Sequence, residues 1–272
     1  MTQSAKSQRS KGETVPAKSP APSKAISVAV IDEQLANEAA LLKQQINVGG
    51  GSRLKFEVTG EILSPEGMSL GNSITVAVVD FRSRNFFYTS KYNPNNITPA
   101  DCYAVGTIKA QMKPADDAPM PQSDNCVSCP LNAFGSSDTG AGKACQNRYW
   151  VAVMLVEEGN EDALNDPDTP VYIIDLSPSN NKSFEGAMAK VTQSMGHWAR
   201  ALYTVSSENV GTYAKVSWGL PTPNPAVAAT LARRAEVADA LERGPDYAAA
   251  AAKAAAAPKT RATARSAPAR RR

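Results

Sequence analysis

Between residues 53 and 218 apolar side chains recur mostly at every second position, and in one stretch at every third or fourth. The run LKFEVTGEIL sets Leu54, Phe56 and Val58 on one face of an extended segment, and after the turn residues Pro65-Glu66-Gly67 the run SITVAVVDF offers a second strand. The two are expected to pair as a hairpin or meander. Alternation and β-branched or aromatic content predict further strands over 86–90, 149–156, Val171–Leu176 and 213–218. Helical spacing places Phe184, Met188, Val191, Met195 and Trp198 on one face of a helix over 183–201, with capping candidates over 179–183. A second helix is expected over 31–46, from Ile31, Leu35, Ala39, Leu42 and Ile46, and Gly49-Gly50-Gly51 stops it. Beyond Pro221, Pro223 and Pro225, residues 226–243 read as a third helix.

Many short strands, few helices and a long insertion describe a mainly β chain of the α+β class. The architectures that fit are an oligonucleotide-binding-type barrel or a small sandwich, carrying the insertion and flanking helices. Four segments follow: a basic arm over 1–25, a β-rich body with its N-terminal helix over 26–221, a C-terminal helix over 222–247, and an Ala/Lys/Arg tail over 248–272. The arm and the tail have too few bulky apolar residues to offset the entropy of ordering, so both are expected to be disordered.

Charge divides along the same lines. Residues 1–24 carry five Lys/Arg against one Glu, and 248–272 carry seven Lys/Arg and no acid, whereas 25–247 carry 17 basic against 25 acidic residues. An acidic body with cationic arms differs from a uniformly basic nucleic-acid binder: the arms attract phosphate without fixing a register, and any groove in the body must be basic locally. No run approaches the roughly 18 to 20 apolar residues needed to cross a bilayer, and the N-terminus has no short apolar core of a secretory signal. A membrane partner is not expected, and an intracellular, reducing setting is.

In such a setting four cysteines read as metal ligands. Cys102, Cys126, Cys129 and Cys145 are spaced C-x23-C-x2-C-x15-C. The two-residue gap lets one turn aim two thiolates at a tetrahedral ion, Pro130 stiffens that knuckle, and Gly135, Gly140 and Gly142 let the following loop fold back. Structural Zn²⁺ is the favoured occupant; two disulfides, ordinary buried thiols and an iron–sulfur cluster remain alternatives. Four protein ligands leave the ion no open position for water, so its role is structural. His197, the single histidine, reads as a solvated or capping residue.

Candidate nucleic-acid contacts lie in two clusters. FRSRNFFYTSKY brings Arg82, Arg84 and Lys91 beside Phe86 and Tyr88, and Lys143, Arg148, Tyr149 and Trp150 flank the last cysteine. Cations that follow phosphates, interleaved with rings that stack on unpaired bases, are what sequence-tolerant single-strand binding requires. Core packing competes for each ring, and alternation alone sends Phe86 and Tyr88 to one face and Phe87 to the other. The chain has no phosphate-cradling G-x-x-x-x-G-K-[ST] loop, no dinucleotide fingerprint, no H-E-x-x-H and no second histidine, so an enzyme is not expected.

Taken together, CYAVG, NCVSCPLNAFGS, GKACQNRYW and VYIIDLSPSNNKSFEGAM resemble a family of bacteriophage proteins. In these a C-x2-C-P-x-N-x-x-G-S knuckle and a G-K-x-C segment lead into strands and a late helix, and the resemblance covers about residues 54–220. It implies a phage replication or recombination accessory protein, similar to single-stranded DNA-binding proteins with a zinc-stabilised insertion on an oligonucleotide-binding barrel. The matching ligand positions are Cys102, Cys126, Cys129 and Cys145; the implied partners are single-stranded DNA and phage or host replication proteins in the host cytoplasm. Many single-strand binders end in an acidic tail, whereas this chain ends in Arg270-Arg271-Arg272. Two other readings stay open: a virion or genome-packaging protein with basic arms, and an adaptor for a host or phage enzyme.

Overall fold

The computed structural model describes residues 53–91, 93, 98–219 and 221–247. The N-terminal arm, the helix expected over 31–46 and the Ala/Lys/Arg tail lie outside these residues. Among the described residues the structure is mainly β. Its strands are β1 (Arg53–Phe56), β2 (Ile62–Leu63), β3 (Ser73–Phe87), β4 (Cys102–Gly106), β5 (Gln146–Val156), β6 (Val171–Leu176), β7 (Ala201–Asn209), β8 (Ala214–Trp218) and β9 (Thr222–Pro223). Three helices accompany them: α1 (Asn181–Met195), α2 (Val227–Ala232) and α3 (Arg234–Glu242).

The strands form one mixed sheet curled into a half-barrel, in the order β2-β1-β6-β5-β3-β7-β8, with β4 on the far half of β3 and β9 beside the start of β7. The expected hairpin between the 53–58 run and SITVAVVDF does not form. β1 instead pairs with β2 and runs parallel to β6, with Leu54 opposite Ile174. Pro65-Glu66-Gly67 still turns the chain, but within the short excursion in which Leu63 bridges Ser69.

Alternation in the central strands divides the core in two. Val76 and Val78 of β3, with Tyr149, Val151 and Val153 of β5, pack against Phe184, Met188 and Val191 of α1. Ala77 and Val79, with Ala152 and Met154, pack against Val237 and Leu241 of α3. Both faces are therefore covered, which is why SITVAV and VAVM read as nearly continuous apolar runs. Phe184 is the aromatic hub of the first face: its ring meets Phe81, Tyr149 and Trp218 edge-on at centroid distances of 5.2, 5.0 and 4.9 Å. Each such pair adds about 0.5–1.5 kcal/mol beyond its area burial.

β3 continues through FRSRNFF, so the strand expected over 86–90 is only its end, and Tyr88 follows it. The pairing with β5 slips between Val78 and Asp80: Val78 faces Val153 and Asp80 faces Ala152, leaving Val79 as an extra residue. Without the slip, alternation would send Phe81 to the α3 side; with it, Phe81 joins Phe184 and Trp198. The same shift turns Asp80, Arg82 and Arg84 toward α3. There Arg82 bonds Asp80 (2.9 Å) and Glu242 (3.1 Å), Arg234 reaches Asp80 (3.3 Å), and Arg84 donates to the carbonyls of Leu241 (2.8 Å) and Arg243. These bonds take up carbonyls at the end of α3 and fasten it to the centre of the sheet.

The helix expected over 183–201 stops earlier. Gly196, at φ 79° in the left-handed region, caps α1 with its N–H on the Thr192 carbonyl, and the next apolar residues enter β7. The capping candidates serve β8 instead: Asn180 Oδ1 accepts from the Val216 N–H (3.2 Å) and Ser183 Oγ from the Trp218 N–H (2.8 Å). His197 does cap, its Nδ1 accepting from the Ala199 N–H at 3.1 Å. The C-terminal helix is broken into α2 and α3 at Arg233. Among the described residues no helix is long and apolar enough to cross a membrane.

Candidate metal centre and the adjoining cleft

Residues 107–145 contain no strand, and local hydrogen bonds shape them. Cys126 donates its N–H to the Met112 carbonyl (2.9 Å) and its own carbonyl accepts from Asn132 Nδ2 (2.6 Å). Asn125 Oδ1 accepts from both the N–H and the hydroxyl of Ser128 at 2.9 and 2.8 Å, closing the two-residue gap of the knuckle. Cys129 then leads into a 3-10 turn at Pro130–Asn132. The loop returns through Gly135 and Gly140, both at positive φ, and the Cys145 N–H bonds the Leu131 carbonyl at 2.8 Å. Cys102 approaches from the sheet as the first residue of β4, opposite Phe87.

These paths bring all four cysteines to the lining of one cavity of about 20 Å³, with Asn85, Leu131 and Asn132 among the other walls and no carboxylate. That volume holds one water-sized body. As placed, the thiols surround the space without closing on it, for among the described residues no three His, Cys, Asp or Glu side chains are drawn together as a metal-holding group. They do feel one another. Burial pushes the Cys145 thiol up to about 12, helped by the charges of Cys126, Cys129 and Cys102 and opposed by Lys143. Burial also raises Cys126 and Cys102, against hydrogen bonds from Asn85 and from the Gln122 backbone respectively. Four sulfurs around a carboxylate-free space are a donor set that suits a soft cation. None of the four is in a disulfide.

Beside this cavity lies an open cleft of about 580 Å³. One wall is the end of β3 and the residues after it, from Phe87 and Tyr88 to Lys91; the other is Ser137, Asp138, Thr139 and Lys143 of the loop between Cys129 and Cys145; Arg148 of β5 also lines it. Of the nucleic-acid candidates, the structure thus brings together Tyr88, Lys91, Lys143 and Arg148. Tyr88 is exposed. Lys143 Nζ donates to Asn132 Oδ1 (3.1 Å) and Asn147 Oδ1 (2.9 Å), two neutral acceptors that hold the ammonium without cancelling its charge. Arg148 donates Nε to Asp175 at 2.8 Å.

The other five candidates are buried or half-buried and engaged within the protein. Arg82 and Arg84 are consumed in fastening α3, and burial brings the Arg84 guanidinium down to about 10. Phe86 packs with Ala100, Tyr103 and Ala118. Tyr149 lies in the α1-side core with its hydroxyl on Glu185 (2.9 Å). The Trp150 ring carries two guanidinium groups, Arg84's at 3.5 Å and Arg53's at 4.0 Å from its centroid. The cation–aromatic pattern in FRSRNFF is real, but it is satisfied within the protein. Sequence reasoning also passed over Phe134, the most exposed large apolar residue among those described, at 83 %. Its signal was available: a ring followed by the Gly/Ser run of a loop, where exposed side chains concentrate.

The chain matches no protein-family model, no curated protein and no solved structure.

Proposed function

We propose that the protein binds single-stranded nucleic acid, without catalysing a reaction, in the cleft between the end of β3 and the loop from Cys129 to Cys145. The observation that carries this reading is a local reversal of charge. The body from 25 to 247 has an excess of acid, yet the cleft is lined by Lys91, Lys143 and Arg148, the last paired with Asp175, while Asp138 is the one acid among the lining residues and the exposed ring of Tyr88 lies among them. Cations beside an exposed aromatic suit unpaired bases better than a duplex, whose base faces are hidden. The basic arms add salt-sensitive attraction without sequence or strand preference.

In the same reading a single Zn²⁺ on Cys102, Cys126, Cys129 and Cys145 contributes cohesion, neutralising the mutual repulsion of four thiolates and fixing the loop that forms one cleft wall. An oligonucleotide-binding-type barrel is the architecture this function would favour for the curled sheet, and phage replication or recombination in the host cytoplasm is the context its resemblance suggests.

The test is binding of the full-length chain to a labelled single-stranded oligonucleotide and to its duplex across a salt series, beside the Lys91→Ala/Lys143→Ala double variant. The reading expects a single-strand preference that survives moderate salt. It also expects the double variant to lose at least about tenfold in affinity and to show a shallower salt dependence, by one to two phosphate contacts. Equal affinity for both forms, unchanged by the double variant, would leave binding to the arms and turn the function toward packaging. Metal content of the purified chain, and thiolate-to-cobalt absorption on Co²⁺ substitution, test the zinc part separately.

A further inference from the structure

We infer that Phe134 is the base-stacking contact of the cleft, an inference that rests on the single-strand reading above. At 83 % exposure Phe134 packs into no core among the described residues. It sits four residues after Pro130, where the 3-10 turn begins, and the loop that carries it also supplies one wall of the cleft. Lys143 Nζ lines that wall and stands 5.1 Å from the Phe134 ring centroid, so ring and ammonium form one unit at the cleft's edge.

The unit is held in place from two sides. Lys143 is bonded to Asn132 in the loop and to Asn147 in β5, and Asn147 Nδ2 in turn donates to Asn85 Oδ1 of β3 at 2.7 Å. This strut of amides ties the loop to the sheet at the point where Phe134 emerges. Lys143 spends two of its three N–H donors on neutral oxygens, which leaves one proton and the full charge for an outside acceptor. A nucleotide presents a flat π face and an anionic oxygen within one residue. A ring beside a tethered cation matches that pair; an apolar peptide would use the ring and leave the cation without a partner. Tyr88, exposed within the cleft, offers a second ring for a neighbouring base.

The experiment compares the full-length chain and its variants on two fluorescent oligomers of equal length, oligo-dT and an abasic strand with the same phosphates and no bases. Wild type is expected to prefer oligo-dT. Phe134→Ala should weaken oligo-dT binding on the order of tenfold while leaving the abasic strand unchanged, and Phe134→Trp should restore it. Lys143→Gln should weaken both strands and reduce the salt dependence by about one contact. If Phe134→Ala binds oligo-dT like wild type while wild type prefers it to the abasic strand, the stacking assignment fails alone, and the ring belongs to a protein-facing surface. If wild type does not distinguish the two strands, the single-strand reading fails and takes this inference with it. Metal content and thermal unfolding of Phe134→Ala should equal wild type; a fall in either, together with equal loss on both strands, also overturns the assignment.

Discussion

Between residues 107 and 145 only Met112, Ala118 and Cys126 are buried, whereas β5, eleven residues long, buries six by itself. The sheet is held by what its sequence shows in bulk: apolar runs covered on both faces and aromatic rings gathered on Phe184. The loop has no comparable core and relies on turns, side-chain amides and backbone bonds of short range. Three of the four cysteines lie in this loop, and with Cys102 of β4 they line one cavity. Hydrophobic packing and metal ligation are alternative ways to offset chain entropy, and the proposed zinc ion would supply the second where the first is scarce.

The strongest way to break this comparison is to remove the proposed zinc ion. A structural zinc site contributes on the order of 10 kcal/mol of folding free energy. Stripping the metal with a chelator, or making Cys126→Ser with Cys129→Ser, should release the amides of 107–145 to rapid hydrogen exchange while β3, β5 and β6 keep their protection. Loss of protection in β5 as well would show that the sheet depends on the loop. From the other side, Phe184→Ala should lower the stability of the sheet in urea by about 3–5 kcal/mol yet leave metal content unchanged.

Arg84→Ala tests the polar half of β3. It strips the Leu241 and Arg243 carbonyls of their donor, and about 2–3 kcal/mol of stability should go with it. Exchange in α3 should rise more than in α1. A change below about 0.5 kcal/mol would mean that Val237 and Leu241 hold the helix unaided. The smallest effect is expected from Glu242→Gln, whose carboxylate is 61 % exposed: no more than about 0.5 kcal/mol in the same urea titration, fading with added salt.

The parts that could be read from the chain were those held by local pattern. β5, β6, β8 and the buried face of α1 follow directly from alternation and from Phe184, Met188 and Val191. β7 was hidden because Trp198 and Ala201 continue the helical spacing past Gly196, and β4 because CYAVG is five residues long and begins with a cysteine. The partner of β1 was hidden because parallel pairing with a strand more than a hundred residues away leaves no local trace. The cleft was half legible. Tyr88, Lys91, Lys143 and Arg148 were found by composition, but composition cannot tell an arginine that faces solvent from one that faces the end of α3. That distinction depends on a helix some 150 residues further along.

The extra residue in β3 has a bearing on which changes of chain length the fold could absorb. Val79 is the one position whose removal would turn the strand into an unbroken alternation with Asp80, Phe81, Arg82 and Arg84 still on their present sides. A deletion further along, at Ser83 for example, would exchange the sides of every residue after it, unless the slip moved to compensate. Insertions and deletions in this strand should therefore be tolerated near residues 78–80 and selected against beyond them, which makes Val79 the natural seam for length variation among descendants of this chain.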